Sequence, residues 1–280
     1  SLITLNTIEN NLNNKNILEV TNDLKNYQIK KLNNNEYMEL FNFGNDLNIY
    51  PLYISTTLHN TVTIFSKDIK IHQIKQKFNE LTIPSNKESF LKNLFFKYNN
   101  DNIILNKEIL KELNNSINSE LINSEKEIQI LNELKELIIN YIKKLEEHIN
   151  YLENYNLDFV NLDIISKSDL LLKNNIKIEK IKSFKNSIIL IQEKYIQINL
   201  IINSNLIYMD KLNNLRINLL PNLISKIMTN NVIKKDFENI QEFIEISNTL
   251  NEIINSQDNI YSNNYLSNTN EKNKQFYKKL

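Results

Sequence analysis

The sequence predicts an all-α fold: an elongated bundle with two long coiled-coil-like helices and shorter N-terminal helices. Three observations predict it. Apolar residues recur at spacings of three and four along most of the 280 residues. The only alternation of the strand kind is the short Ile69-Lys70-Ile71. Helix breakers are scarce, with one Gly and three Pro, so little interrupts a helix once it has begun.

The elements follow in order. Residues 1–32 read as a first amphipathic segment. A second runs from Glu36 through Ile64, with a kink or break expected at Pro51. A third, Ile71 to Leu81, is stopped by Thr82-Ile83-Pro84-Ser85. Ser85 and Glu88 form a capping-box pattern that opens a helix to Tyr98, and Asn99 to Asn102 is a turn. The first long helix is expected from about Ile103 to Tyr155, on the seam Leu113, Ile117, Leu121, Ser124, Ile128, Leu131 and onward. The second is expected from an N-cap near Ser168 to about Leu220, on Ile181, Phe184, Ile188, Ile191, Tyr195, Ile198 and their successors. Pro221 marks a break or kink, and a further helix carries Leu223 to Ile254. From about Ser256 the chain is polar and reads as a frayed tail or a weak last helix. The organisation expected is short helices over 1–100, a long-helix bundle over 101–255 and a tail over 256–280.

Composition excludes whole classes of function. The chain has 33 basic and 33 acidic residues, which gives no global attraction to nucleic acid. The absence of Cys removes disulfides, thiolate metal sites and thiol redox chemistry. A single Gly, Gly44, cannot build a Gly-rich phosphate loop or a Gly-x-Ser-x-Gly elbow. His59, His72 and His148 lie far apart with no third ligand evident, so neither a metal nor a cofactor is expected, and His148 is expected on the helix surface. No run reaches 18 clean apolar residues: the most apolar region, Ser187 to Met209, contains Gln192, Glu193, Lys194, Gln197 and Asn199. Residues 1–20 lack the basic start and apolar run of a signal peptide, and a cytoplasmic location is the expectation. Nearly one residue in five is Asn, Ala is absent, and Arg216 is the only Arg among the basic residues. This is the bias of a very AT-rich genome.

Two polar features stand out. Asn205 falls on the apolar seam of the second long helix, as a buried register-setting Asn or as a polar contact in a groove between helices. Gly44 follows Phe41-Asn42-Phe43, as a turn or helix C-cap Gly or as part of a functional motif.

Two segments resemble the TelA family of toxic-anion (tellurite) resistance proteins. The first is Phe41-Asn42-Phe43-Gly44-Asn45-Asp46-Leu47-Asn48, followed by Tyr53-Ile54-Ser55-Thr56-Thr57-Leu58. It is similar to the family's aromatic-Gly element. The second is Gln197-Ile198-Asn199-Leu200-Ile201-Ile202-Asn203-Ser204-Asn205, continuing to Leu219-Leu220-Pro221-Asn222-Leu223. It resembles a family stretch reading roughly Gln-Ile-Arg-Leu-Ile-Gln-Asn-Asn and then Ile-Pro-Leu-Trp-Lys. Here Asn199 stands for the Arg, Ile202 for the Gln, and Leu223-Ile224 for the Trp-Lys. The resemblance covers residues 35–255 and makes Gly44, Gln197, Asn203, Asn205 and Pro221 the candidate binding positions. It implies a cytoplasmic bacterial protein, a non-enzymatic factor in resistance to tellurite and to envelope stress. Its expected partners are other proteins, with self-association through the helical seams and peripheral contact with the inner membrane left open. The alternative is a coiled-coil scaffold with no role in resistance.

Overall fold

Helix is what these residues form wherever the chain is described. The structure, a computed structural model, describes residues 14–32, 37–81, 101–157, 163–229 and 241–262. Among them every regular element is helical and none is a strand. The helices are α1 (Ile17–Asn26), α2 (Tyr37–Asn42), α3 (Ile49–Ile64), α4 (Asp68–Asn79), α5 (Asp101–Glu153), α6 (Ile164–Asn214), α7 (Leu220–Thr229) and α8 (Gln241–Ser262). A 3-10 turn, Asn45–Asn48, precedes α3, and a π turn, Leu215–Leu219, joins α6 to α7.

The first segment is shorter than its amphipathic pattern because Asn16 starts it. The Asn16 Oδ1 accepts from the Glu19 backbone N–H at 2.9 Å, and the Glu19 carboxylate accepts from the Asn16 N–H at 3.2 Å. This reciprocal capping box satisfies two amide donors that α1 would otherwise leave open. The expected break at Pro51 does not occur. Pro51 is the third residue of α3, in the first turn, where its missing N–H has no helical partner to lose. Ser168 is not the N-cap of α6. The helix begins four residues earlier, and the Asp163 carboxylate accepts from the Ser166 N–H at 2.7 Å. The Ser166 hydroxyl first, and then this N–H, hold the Asp163 carboxyl below its ordinary value.

Pro221 does not end the helical path. It is the second residue of α7, and the turn before it widens so that the Leu220 N–H bonds to the Leu215 carbonyl. A Pro cannot donate to, and would crowd, the carbonyl four residues back, and a π turn is one way a helix absorbs this. Of the two readings of the segment from Ser256, the helical one holds as far as Ser262, where α8 ends, and Gln257 is buried. The helix expected over 85–98 lies outside the described residues, as does the remainder of the tail. No helix among the described residues is long and apolar enough to cross a membrane.

The chain divides into two units, one of residues 1–61 and 129–202, the other of 62–128 and 203–280. The boundaries fall inside α3, α5 and α6 and so run across the three sequence segments. In the first unit, α5 and α6 are antiparallel. Lys185 bonds to Glu153 at 3.1 Å, and the Lys135 ammonium lies 4.9 Å from the Tyr195 ring centre. Leu134, Leu137, Ile138 and Tyr141 of α5 and Ile191 and Ile198 of α6 are buried there. Each such side chain contributes about 1.5–3 kcal/mol. In the second unit, Ile71, Ile74 and Phe78 of α4 share a core with Leu113 and Ile117 of α5, Leu212 of α6 and Leu250 of α8. Phe78 stacks on Phe243 at 4.6 Å between ring centres.

Candidate functional site

Among the described residues, each unit holds a cluster of buried polar side chains. In the first unit the centre forms around Gly44, which has φ 69°, in the left-handed region. It turns the chain sharply from α2 into the 3-10 turn. An added Cβ would lie 2.7 Å from Phe184 Cζ and 3.0 Å from His148 Cδ2. Gly44 is therefore required twice, by its dihedral and by the close approach of two rings. The role the structure gives it is steric.

His148 was expected on the surface, yet it is 1% exposed. The rings of Phe43, Tyr27 and Phe184 surround it at 5.0, 5.7 and 5.8 Å. Its Nδ1 is 2.6 Å from the Lys144 carbonyl, which can only accept, so Nδ1 carries the proton. In the neutral ring Nε2 is then bare. It lies 3.4 Å from Tyr27 Oη, which donates to Asp46 at 3.0 Å. Burial lowers the His148 pKa, against the bond to the Lys144 carbonyl and the charges of Asp46 and Glu147, while Lys144 acts with burial. Burial also raises the Tyr27 hydroxyl, with Asp46 adding to it. Lys180 of α6 donates to the Phe41 carbonyl at 2.8 Å and to Asn45 Oδ1, with the ring of Phe184 5.7 Å away. Desolvation brings its ammonium down to about 8, with Asp46 opposing the shift.

The sign of the His148 effect on stability follows. Its ordinary value is 6.5 and the folded value is lower. Between the two, the unfolded chain binds a proton that the folded chain refuses, so stability is whole above 6.5 and falls as pH drops through this window. Each pH unit crossed removes up to about 1.4 kcal/mol. Urea unfolding at pH 7.5 and pH 5.5 is expected to show that loss in the natural chain and a smaller one in His148→Gln. An equal loss in both would rule His148 out as its source.

In the second unit the centre lies among α4, α5 and α6. Glu120, Ser124 and Glu127 are spaced four and three apart, so they share one face of α5, and all three are buried. Lys67, just before α4, meets Glu127 at 2.5 Å with both side chains under a tenth exposed. Its ammonium also lies 5.5 Å from the Tyr208 ring centre. Tyr208 donates to Glu120 at 3.1 Å, and Lys70 approaches the other Glu120 oxygen at 3.3 Å. The Asn205 Nδ2 and the Ser124 Oγ have no hydrogen-bond partner. Charge within this layer is matched, two carboxylates against two ammonium groups.

The same unit has an open cleft of about 440 Å³, lined by Asn118, Leu121, Ile122, Glu125, Asn213 and Arg216. The Arg216 guanidinium, on the π turn, donates to Asn118 at 2.8 Å and to Asn213 at 3.0 Å. Two of its five N–H donors are thereby engaged.

The five positions singled out in the sequence do not come together. Gly44 and Gln197 belong to the first unit, and Asn203, Asn205 and Pro221 to the second. Asn203 and Pro221 are exposed, Asn205 is 2% exposed, and Gln197 is half-buried with its Oε1 unpartnered. His148 was missed although a signal was present: Tyr141, Leu145, His148 and Leu152 are spaced four, three and four, which puts His148 on the inner seam. Among the described residues, no group of three His, Cys, Asp or Glu could hold a metal ion.

A further surface is defined by exposure. Ile164, Leu171, Ile178, Ile189, Ile196 and Leu200 of α6 are each half or more exposed. Their separations are near-whole numbers of turns, so all lie within an arc on the order of 40° at 3.6 residues per turn. The buried Phe184, Ile191 and Ile198 lie on the opposite side. On α5, by contrast, only Ile122 and Ile139 are exposed large apolar side chains among the described residues. Comparison with protein-family models, with curated proteins and with solved structures finds no match.

Proposed function

We propose that this chain is a non-enzymatic factor in resistance to toxic anions such as tellurite and to envelope stress, acting by binding other proteins. The observation that carries the binding half is the outer face of α6. Roughly 500 Å² of apolar side chain lies exposed there in one line, the size at which an exposed patch on a single chain marks an interaction site. The resistance half rests on the resemblance of the Phe41–Leu58 and Gln197–Leu223 segments to the TelA family. In this reading the protein works in the cytoplasm, with peripheral contact at the inner membrane. The same outer face also suits a structural scaffold, the runner-up.

One experiment separates the two. A gene deletion in the native host is grown across a tellurite series beside a complemented strain. Sensitisation by the deletion, restored on complementation, is the expected result. Unchanged growth would overturn the resistance role and leave the scaffold.

A further inference from the structure

We propose that the outer face of α6 pairs with the same face of a second copy of this chain, antiparallel, with Ile189 on the two-fold axis. The inference rests on the reading of that face as a protein-binding surface and commits it to one occupant.

Exposure, spacing and charge carry it. From Leu171 to Leu200 every apolar residue of the stripe is half or more exposed, and the stems of Lys182, Lys185 and Glu193 extend the face along the same line. Leu171 to Ile178 and Ile189 to Ile196 are steps of seven, close to two helical turns, so each pair stands on one line of the helix. The interruption between Ile178 and Ile189 holds Lys182 and Lys185, and Glu193 lies between Ile189 and Ile196. A parallel pair would set Lys182 against Lys182, Lys185 against Lys185 and Glu193 against Glu193. An antiparallel pair centred on Ile189 removes every one of these clashes. Ile178 then faces Leu200 of the second copy, Lys182 lays its stem on Ile196, and Lys185 meets Glu193. By symmetry each contact occurs twice. The existing Lys185–Glu153 pair is half-exposed on both sides and therefore weak enough to rearrange. A slip that sets Ile189 against Ile196 leaves Lys185 facing Leu200 and Glu193 facing Gln192, without the charge match.

The chain contains no Cys, so each single-Cys variant reports one position. Under mild oxidation, Ile189→Cys is expected to give mostly disulfide-linked dimer. Ile178→Cys alone and Leu200→Cys alone are expected to stay monomeric on a non-reducing gel, and an equal mixture of the two to cross-link. In sedimentation the natural chain is expected to be a dimer and Ile189→Glu/Ile196→Glu a monomer of unchanged helicity. Self-cross-linking at all three positions would mean parallel pairing and overturn the proposal. So would a natural chain that sediments as a monomer at its highest soluble concentration. That last result would leave the protein-binding reading standing only if the double Glu variant also failed to complement the tellurite-sensitive deletion. A variant that complements fully would remove both.

Discussion

Replacing Lys67 by Met is expected to destabilise the chain by about 3–5 kcal/mol, because it leaves the Glu127 carboxylate buried without its cation. Glu127 is 3% exposed at its side chain and Lys67 7%, so neither has water to fall back on. The Glu120 carboxylate on the same face of α5 would then add repulsion to the lost pairing. The companion variant separates loss of a contact from an orphaned charge. Lys67→Met combined with Glu127→Leu removes both ions and fills the space with apolar atoms, and it is expected to return to within about 1–2 kcal/mol of the natural chain. Urea unfolding of the four proteins in the cycle measures this. If the two single costs simply add in the double variant, the two residues do not act as a pair.

Gly44→Ala is expected to cost about 3 kcal/mol or more, from two separable sources. A left-handed dihedral at a residue with a Cβ costs roughly 1–2 kcal/mol. The remainder comes from the approach of the new carbon to Phe184 and His148, in a core with no slack. Phe184→Leu in the Gly44→Ala background is expected to recover part of the second cost and none of the first. Chemical denaturation of the single and double variants reads the difference. A Gly44→Ala protein as stable as the natural chain would mean that neither the turn nor the ring contact constrains this position.

The helical class and the two long helices were legible because Leu and Ile at three-and-four spacing leave little ambiguity over fifty residues. The ends were less so. Asp163 caps α6 through a carboxylate that sequence cannot distinguish from any surface Asp, whereas Asn16 and Glu19 do carry a readable signature. Pro51 was over-read, whereas the helix is locally irregular before Pro221. A Pro breaks a helix only where its N–H is needed, and Pro51 falls in a first turn while Pro221 follows a widened one. The polar centres were nearly illegible. Glu120 and Glu127 look like surface carboxylates, since the cation that justifies burying Glu127 lies sixty residues away at Lys67. Asn205 was legible as a buried polar residue because it interrupts an apolar seam. The outer face of α6 was hidden by the inner one: a reading that follows one stripe does not look for a second on the opposite side.

The antiparallel pairing of α5 and α6 bears on how the chain can fold. At the connecting end the partners are close in sequence: Lys177 reaches the Tyr155 carbonyl across 22 residues and Lys185 reaches Glu153 across 32. In the second unit Tyr208 reaches Glu120 across 88 residues and Arg216 reaches Asn118 across 98. The loop that must close for the first contact is short, and closure entropy grows with the logarithm of length. Within the first unit each later contact forms on ends already held together, so this part of the two helices can zip from Tyr155 outward. Tyr208 and Glu120 meet only when a loop of 88 residues closes, whereas Lys67 reaches Glu127 from outside the helix pair, across 60.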